Sequence, residues 1–296
     1  MALKKKPVTG MKDILPQEMQ IRDYVLNQIK ETYRGFGFSS IETPCVEHIE
    51  NLLSKQGGDN EKLIFKVLKR GEKLNLEAAE TENDLADSGL RYDLTLPLSR
   101  YYSNNAANLP SPFKALQIGS VWRADRPQKG RYRQFNQFGI ENIGMKSPLI
   151  DAEVIALGYS IVKALGLSQV KVLINTLGDD ESRAAYRGAL REHFKDSVSE
   201  LCADCQRRYE QNPLRLLDCK VDNEHPSMQN VPSLQQYLTP ESKAYFDQVL
   251  AALDALEIPY EIDDKLVRGL DYYTHTVFEV VSTHPESGSQ ATVFAG

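Results

Sequence analysis

The sequence has no long apolar run, no apolar segment behind its N-terminal lysines, no internal repeat and no excess of basic residues. No apolar run approaches the roughly eighteen residues of a membrane-spanning helix, and Met-Ala-Leu-Lys-Lys-Lys lacks the apolar core of a signal peptide. These absences predict a soluble, cytoplasmic protein without a membrane partner. The formal net charge of −6 argues against broad coating of nucleic acid, so any contact with RNA should be local.

Cysteine is also scarce, which limits disulfide and metal chemistry. The cysteines are Cys45, Cys202, Cys205 and Cys219, and they suggest reduced thiols. The two-residue gap between Cys202 and Cys205, with Cys219 and His225 downstream, could give a tetrahedral zinc site. No second pair at this spacing is evident, so we expect ordinary buried or half-buried thiols and no metal bound by protein groups, with zinc as the alternative.

The proportions of residue types allow a substantial core. Of the 296 residues, 41% are hydrophobic and 26% are charged, which predicts one large domain and a smaller one. A helix is predicted over residues 16–33, with Gly35 as its end. Its apolar stripe consists of Ile21, Val25, Ile29 and Tyr33.

The predicted strands lack the βαβ rhythm of a parallel sheet. A second helix is predicted over 151–165, and residues 178–258 are charged, mostly helical and interrupted by prolines, which is typical of an insertion. The fold class is therefore α+β, with an antiparallel sheet flanked by helices and a mostly helical insertion domain. The strands are predicted at 38–41, 63–67, 91–96, 113–122 and 134–143.

A basic segment at residues 121–135 stands out in an otherwise acidic protein. It crowds five cationic side chains together, so a polyanion is the expected ligand. In the run that follows, the two-residue period puts Phe135, Gln137, Gly139 and Glu141 on one face. Arginine suits phosphate, an aromatic ring suits a nucleobase, and the amide and carboxylate can bind a small polar molecule. The segment predicts a nucleotide site with a co-substrate, and a solvated basic hairpin is the alternative.

Residues 266–274 form a second candidate segment. Arg268 precedes Gly269, which lets the backbone pass close to a ligand. Tyr272 and Tyr273 would point to opposite faces of a strand, so only one of them can line a site.

Residues 91–97 form a third candidate segment. Alternation along a strand would put Arg91, Asp93 and Thr95 on one face. A carboxylate beside a hydroxyl suits an ammonium group, although a half-exposed strand is the commoner origin of such a pattern.

The three segments carry motifs that occur together in a known family. Residues 123–144 resemble the second signature motif of class II aminoacyl-tRNA synthetases, and residues 266–274 resemble a histidine-specific motif. Further similar sequences are the opening at 10–16, motif 1 at 37–44, and the insertion sequences at 205–208 and 212–215. Over nearly the whole chain, these motifs resemble the histidyl-tRNA synthetase family.

The resemblance implies a class II synthetase-like domain organisation. We expect a catalytic core at 1–177, a helical insertion at 178–258 that helps to hold the acceptor end of tRNA, and a return to the core at 259–296. We also expect a homodimer formed through motif 1 around Pro44. The family's third motif and anticodon-binding domain would follow Gly296, so the core is expected to be incomplete at its C-terminus.

The resemblance also implies the reaction and its phosphate ligands. L-Histidine and ATP, the latter with Mg²⁺, would give histidyl adenylate, which is then transferred to tRNA(His). Arg123 and Arg268 would flank the α-phosphate as the catalytic cations, and Arg131 would reach the distal phosphates. Phe135 would stack on adenine, and Asp125, where the family usually has glutamate, would meet the adenine amino group.

For the amino acid, the resemblance implies a polar pocket. Asp93, Thr95 and Gln137 would surround the α-amino group, while Glu141 and Tyr273 would bind the imidazole nitrogens. Such a pocket rejects apolar analogues because they leave its polar groups unpaired. The full histidine set is expected to be Asp93, Thr95, Gln137, Glu141, Arg268, Tyr272 and Tyr273.

A function of another class is the alternative. The regulatory subunit of ATP phosphoribosyltransferase is a non-catalytic histidine sensor that resembles synthetase cores and has no anticodon domain. A sensor needs the histidine pocket but no arginines directed at phosphate, so the basic loop and Arg123 favour the enzyme. The enzyme requires Arg123 to lie near Arg268, and Glu141 to face the same cavity as Tyr273.

Overall fold

A computed structural model describes residues 4–53, 59–128, 130–268, 273–285, 287 and 291–296. In the first part of the chain, the strands predicted at 113–122 and 134–143 pair with each other as a long β-hairpin. The chain divides into two compact units, Met1–Met145 and Lys146–Gly296. Among the helices of the described residues, none has both the length and the apolarity needed to cross a bilayer.

In the first unit, the two sheets differ in how they are built. The elements are α1 (Pro16–Gly35), β1 (Ser39–Ile41), β2 (Val46–His48), α2 (Ile49–Leu52), β3 (Lys66–Leu68), β4 (Ala86–Leu90), α3 (Thr95–Asn105), β5 (Phe113–Trp122) and β6 (Gln134–Ile143). One sheet has the order β1-β5-β6, with β1 parallel to β5 and β5 antiparallel to β6, and the other has the antiparallel order β2-β4-β3.

Helix α1 begins at a proline, whose fixed φ suits the first turn. Only the C-terminal half of its predicted stripe is buried, because Ile29 and Tyr33 are 2% and 0% exposed, whereas Ile21 is 66% exposed. The Tyr33 ring packs edge to face on the Phe38 ring, with 5.2 Å between the ring centroids, and its centroid lies 6.3 Å from that of Phe138. The helix therefore packs on the face of the β5-β6 hairpin that carries Phe138.

The strand predicted over residues 91–96 is wrong. Strand β4 ends at Leu90, and Thr95 is already the first residue of α3. Pro97 fits the first helical turn, and the Leu96 amide donates to Asp93 Oδ1 at 3.2 Å. The polar alternation thus belongs to a connection that caps a helix. The strand predicted at 63–67 lies instead at Lys66–Leu68, behind a 3-10 turn at Asp59–Leu63.

The second unit is built on one four-stranded sheet. Its elements are α4 (Pro148–Ala164), β7 (Val170–Thr176), α5 (Asp180–Phe194), α6 (Ala203–Gln211), α7 (Pro240–Ala255), β8 (Tyr260–Ile262), β9 (Thr276–Ser282) and β10 (Thr292–Ala295). The sheet has the order β10-β9-β7-β8, in which only the β7-β8 pair is parallel. Helices α4 and α7 supply apolar side chains that form a buried cluster with this sheet, including Ile155, Phe246 and Phe278.

Close packing fixes α4 against β10. A Cβ added at Gly158 would lie 2.1 Å from the Phe294 ring, so the absence of a side chain lets the ring seat against the helix. The predicted α+β class, with antiparallel sheets flanked by helices, is confirmed by these elements. The domain boundaries at 177 and 258 stay a prediction.

Asp179 joins the starts of two helices in the second unit. It is the N-cap of α5, where its Oδ1 accepts from the Ser182 amide at 2.8 Å. Its Oδ2 accepts from the hydroxyls of Thr239, the N-cap of α7, at 2.6 Å and of Ser242 at 2.8 Å. The Thr239 bond, followed by the Ser182 bond, holds the pKa of Asp179 well below its usual range.

We predict that Asp179→Ala lowers the free energy of unfolding by about 1–2 kcal/mol at pH 7, as loss of an N-cap acceptor does. Because the pKa of Asp179 is lower in the folded than in the unfolded chain, its carboxylate stabilises the folded state at pH values above the unfolded pKa of about 3.9. This contribution is lost as the pH falls towards the folded-state pKa. The difference in the free energy of unfolding between variant and wild type, measured by urea denaturation, should therefore become smaller in acid. The control Asp180→Ala changes an exposed aspartate at the same helix end and should lower the free energy of unfolding by a smaller amount. Equal losses, or a pH-independent difference, would contradict this role.

Candidate active site

One face of the β5-β6 hairpin carries several residues of the candidate site. Its register sets Val121 opposite Phe135, Gly119 opposite Gln137, and Gln117 opposite Gly139. Directly opposed residues share a face, so the four β6 positions singled out by their two-residue period lie on one face as predicted, with Gln117 among them. The opposite face carries Phe138, which meets α1.

A buried polar network holds residues 91–94 against this hairpin. Arg91 is 3% exposed, and its guanidinium donates to the carbonyls of Thr43 at 2.7 Å and Ser120 at 2.9 Å. Thr43 Oγ1 donates to Gln117 Oε1 at 2.9 Å, and Gln117 Nε2 donates to the Leu94 carbonyl at 3.0 Å. Arg91 thus has a structural role and does not share an exposed face with Asp93 and Thr95. Neither Gln117 nor Thr43 was singled out from the sequence.

The network brings the predicted ammonium ligands to the carboxylate of β6. Thr95 Oγ1 donates to Glu141 Oε1 at 2.7 Å, and Asp93, itself 3% exposed, is near enough to act on Glu141 electrostatically. Desolvation raises the pKa of Glu141; the Thr95 bond opposes this shift, and the Asp93 charge adds to it. Among the residues described, no basic side chain forms an ion pair with Glu141. The carboxylate of Glu141 is therefore not neutralised by a neighbouring arginine in this part of the chain.

Arg123 lies beside the aromatic residue of the same face. Its Nε donates to the Tyr92 carbonyl at 3.0 Å, and its guanidinium carbon lies 5.1 Å from the centroid of the Phe135 ring. One contact fixes the side chain to the connection before α3, and the other holds it at the ring. The cation and the ring are therefore brought together, and their roles towards phosphate and adenine stay a prediction.

The basic loop between β5 and β6 is a tight turn. Gln128 and Arg131 exchange backbone hydrogen bonds, and Gly130 has a φ of 80°, which a side chain would strain. Arg131 Nε lies 3.7 Å from Asp125 Oδ2, and Arg131 is exposed. The two residues predicted to bind distal phosphate and adenine thus pair with each other, and their ligand roles stay a prediction.

The opening sequence packs against this loop. The Arg133 amide donates to the Gly10 carbonyl at 2.7 Å, and Gly10 has a φ of 84°. A Cβ at Gly10 would lie 2.8 Å from Arg133 Cγ. Glycine is needed here for both conformation and space.

In the second unit, Arg268 is held by groups on two sides. It pairs with Glu279 on β9, whose other oxygen accepts from Thr292 Oγ1 at 2.9 Å. Its guanidinium carbon lies 5.4 Å from the centroid of the Tyr273 ring. Glu279 was not anticipated, because its partner lies eleven residues away and no local pattern links the two. Tyr272, Gly269 and the residues between them lie outside the described residues.

The candidate residues therefore form two sets. Asp93, Thr95, Glu141, Arg123 and Phe135 belong to the first unit, and Arg268 and Tyr273 belong to the second. That Arg123 approaches Arg268, and that Glu141 faces the same cavity as Tyr273, stay predictions. Gln137 is half-buried on the face shared with Glu141.

The thiols of the second unit come together in a way that the sequence only partly indicated. Single ligand atoms of Cys202, Cys205, Cys219 and Asp222 all lie within 4.8 Å of one another. Asp222 takes the place considered for His225, whose Nδ1 lies 2.8 Å from the hydroxyl of the serine two residues later. The repeated two-residue gap, Cys202 to Cys205 and Cys219 to Asp222, was the available signal.

Comparison with known proteins decides which family this arrangement represents. Residues 10–296 match the family model described as histidyl-tRNA synthetase. The chain belongs to the histidyl-tRNA synthetase family. Similar members include histidine–tRNA ligase 1 of Shouchella clausii, 45% identical, and the histidine–tRNA ligase of Bacillus cytotoxicus, 43% identical, each over 97% of this chain.

Solved structures of the family agree with the fold. The apo histidyl-tRNA synthetase of S. aureus matches with a TM-score of 0.72 and 34% identity, over 98% of this chain and 64% of that one. This likeness confirms the class II synthetase-like fold. A structure titled ATP phosphoribosyltransferase regulatory subunit/histidyl-tRNA synthetase, from Bacillus halodurans, matches at 22% identity with a TM-score of 0.66, which shows the fold alone. The chain spans 66% of the length of the curated relatives above.

We predict that Glu141→Gln leaves the unliganded chain as stable as the wild type or more stable at pH 7.5. Glutamine can still accept from Thr95, and it carries no charge to desolvate. A raised folded-state pKa favours folding at low pH and disfavours it as the pH rises from the unfolded towards the folded value. The advantage of the variant in urea denaturation should therefore disappear in acid. A variant less stable at pH 7.5 would contradict the assigned burial.

We predict that Arg91→Met lowers the free energy of unfolding by about 2–4 kcal/mol, because it leaves buried carbonyls without a donor. Urea denaturation measures the loss. Arg70→Met is the matched control, since Arg70 is exposed and should change stability by less than about 0.5 kcal/mol. A loss for Arg91→Met as small as that of the control would show that the network is dispensable.

Proposed function

We propose that this chain forms the histidine- and ATP-binding part of a histidine–tRNA ligase. The histidine carboxylate attacks the α-phosphorus of ATP, pyrophosphate leaves, and the resulting histidyl adenylate donates its histidyl group to the terminal ribose of tRNA(His). This chemistry needs no enzymic nucleophile. It needs positioning and fixed cations directed at a phosphate on which negative charge develops.

The observation that carries the proposal is the cluster of Thr95, Asp93 and Glu141. Because the Thr95 hydroxyl gives its hydrogen to Glu141, its oxygen lone pairs can accept from an ammonium group. Two neighbouring carboxylates in a desolvated place favour a cationic ligand, since such a ligand relieves their mutual repulsion. Histidine offers an ammonium group and an imidazole N–H, which suit these acceptors. Gln137 on the same face is proposed as a further ligand of the α-amino group.

For the nucleotide, the contacts of Arg123 support a phosphate role. A guanidinium with its Nε fixed at a carbonyl is oriented before the ligand arrives, so little is lost in ordering it. We assign Phe135 to adenine stacking, Asp125 to the adenine amino group and Arg131 to the distal phosphates. Mg²⁺ would accompany ATP and neutralise charge on the leaving pyrophosphate.

Arg268 and Tyr273 are proposed to complete the site from the second unit. Arg268 is held by Glu279 and the Tyr273 ring, and we assign it as the second cation at the α-phosphate and a histidine contact. Tyr273 is assigned to an imidazole nitrogen, and Tyr272 is kept as a candidate histidine ligand. Further proposals are the boundaries 1–177, 178–258 and 259–296, a tRNA role for the middle segment, a homodimer through motif 1 and a cytoplasmic location.

The test is histidine binding by calorimetry, together with histidine-dependent exchange of labelled pyrophosphate into ATP. We expect exchange with histidine and with no other amino acid. Glu141→Gln should weaken histidine binding by about tenfold or more, because a charge-assisted hydrogen bond becomes a neutral one. Arg123→Lys should bind histidine nearly normally and lose exchange by about 100-fold or more, as loss of one transition-state donor does.

Arg70→Lys is the control for the arginine variant, since it changes an exposed arginine of the same unit in the same way. It should leave both measurements unchanged. The proposal fails if the folded chain prefers another amino acid, or if Glu141→Gln and Arg123→Lys alter histidine binding equally. A chain that binds histidine, exchanges nothing and captures a phosphoribosyltransferase would instead be the regulatory sensor.

A further inference from the structure

The thiol cluster of the second unit lies where two local turns meet. Cys202 is the N-cap of α6 and Cys205 lies in its first turn. Cys219 and Asp222 follow a 3-10 turn at Pro213–Leu216. Cys205, Cys219 and Asp222 are 0%, 6% and 8% exposed, and Cys202 is half-buried. All the cysteines are free thiols.

Two distances within the cluster match the edges of a metal tetrahedron. Zn–S bonds of about 2.3 Å and a Zn–O bond of about 2.0 Å give sulfur–sulfur edges of about 3.8 Å and sulfur–oxygen edges of about 3.5 Å. The Sγ atoms of Cys202 and Cys219 are 3.8 Å apart, and Cys219 Sγ lies 3.5 Å from Asp222 Oδ2. These two edges therefore have the lengths that tetrahedral ligation requires, and the ligand atoms of all the members, Cys205 included, lie within 4.8 Å of one another.

The buried carboxylate of Asp222 would be stabilised by a cation. Its carboxylate accepts from the Cys202 amide at 3.1 Å and contacts the Cys219 thiol. Within the described part of the chain, no basic side chain forms an ion pair with it. A buried carboxylate is normally paired with a cationic side chain or bound to a metal, and here the groups around it are thiols, which bind zinc as thiolates.

The chain supplies these groups as two matching pairs. Cys202 and Cys205 are separated by two residues, as are Cys219 and Asp222. Paired ligands at this spacing from two chain segments are characteristic of structural zinc sites. The spacing, the interatomic distances and the unpaired charge are independent observations that agree.

We propose that Cys202, Cys205, Cys219 and Asp222 bind one Zn²⁺ ion in a closed, structural site. The ion would join the start of α6 to the segment at 219–222, two turns that otherwise meet through the Cys202 amide and side-chain contacts. With four protein ligands there is no open position for water or substrate, so the site holds the fold and does not take part in a reaction. It does not depend on the proposed ligase activity.

The experiment uses the whole chain, stripped of metal under reducing conditions and reconstituted with either Zn²⁺ or Co²⁺ alone. Elemental analysis should find one zinc per chain, and cobalt should give thiolate charge-transfer absorption with the intense visible bands of a tetrahedral site. Zinc should also raise the melting temperature of the stripped chain, because binding free energy adds to folding.

Matched variants identify the ligands. Asp222→Asn keeps the size of the side chain, and Cys202→Ser changes a half-buried thiol. Each variant should have a zinc affinity about tenfold or more below that of the wild type, measured by competition with a chelator. His225→Ala and Cys45→Ser should bind zinc as the wild type does, since neither residue belongs to the cluster. Far-UV circular dichroism confirms that each variant is folded, and the cobalt spectrum of the wild type needs no variant.

Several outcomes would overturn the proposal. One is a reduced, folded wild-type chain that retains far less than one zinc and gives no tetrahedral cobalt spectrum. Another is loss of zinc in His225→Ala with retention in Asp222→Asn, which would move the site. A third is a Cys202–Cys219 disulfide in chain isolated without oxidant, because bonded sulfurs lie about 2.05 Å apart and cannot both serve as separate ligands.

Discussion

The buried guanidinium of Arg91 is the constraint on which the candidate site depends. Its hydrogen bonds to the carbonyls of Thr43 and Ser120 fix the connection after β4 against the hairpin, and Gln117 secures the same connection at the Leu94 carbonyl. Arginine suits this place because its planar fork can satisfy several carbonyls at once and stays charged when buried. Leaving any of these carbonyls without a donor would penalise the folded state.

This network positions the polar side chains of the candidate site, because it fixes the connection that leads into α3. Thr95 begins α3 directly after residues 91–94, which are hydrogen-bonded to the hairpin, and its hydroxyl donates to Glu141. The carboxylate they surround is desolvated and lies near Asp93, so its charged form is disfavoured in the unliganded chain. Under the proposed function, a cationic ligand would offset this electrostatic penalty, and the site would therefore favour such a ligand over an uncharged one.

Sequence reasoning succeeded where short-range pattern decides structure. The β5 and β6 strands have the predicted bounds because two-residue alternation and the flanking turns are local signals. It failed at residues 91–96, where the same alternation reflects a buried arginine and a helix cap, and at the exposed start of α1. Thr43, Gln117 and Glu279 escaped notice because each acts through a partner brought close only by folding. Their contacts with Gln117, Leu94 and Arg268 have no signature in the local sequence.

Glu141 and Asp222 show how the neighbours of a carboxylate decide what it can bind. Neither has an ion-pair partner among the residues described, yet their surroundings differ. Glu141 meets a hydroxyl and lies near a second carboxylate, hard oxygen groups that suit the N–H donors of an organic cation. Asp222 meets thiols, which as thiolates favour a borderline-soft metal ion. Charge alone would make the two sites alike. The polarizability and geometry of the surrounding groups distinguish the proposed amino-acid site from the proposed metal site within one chain.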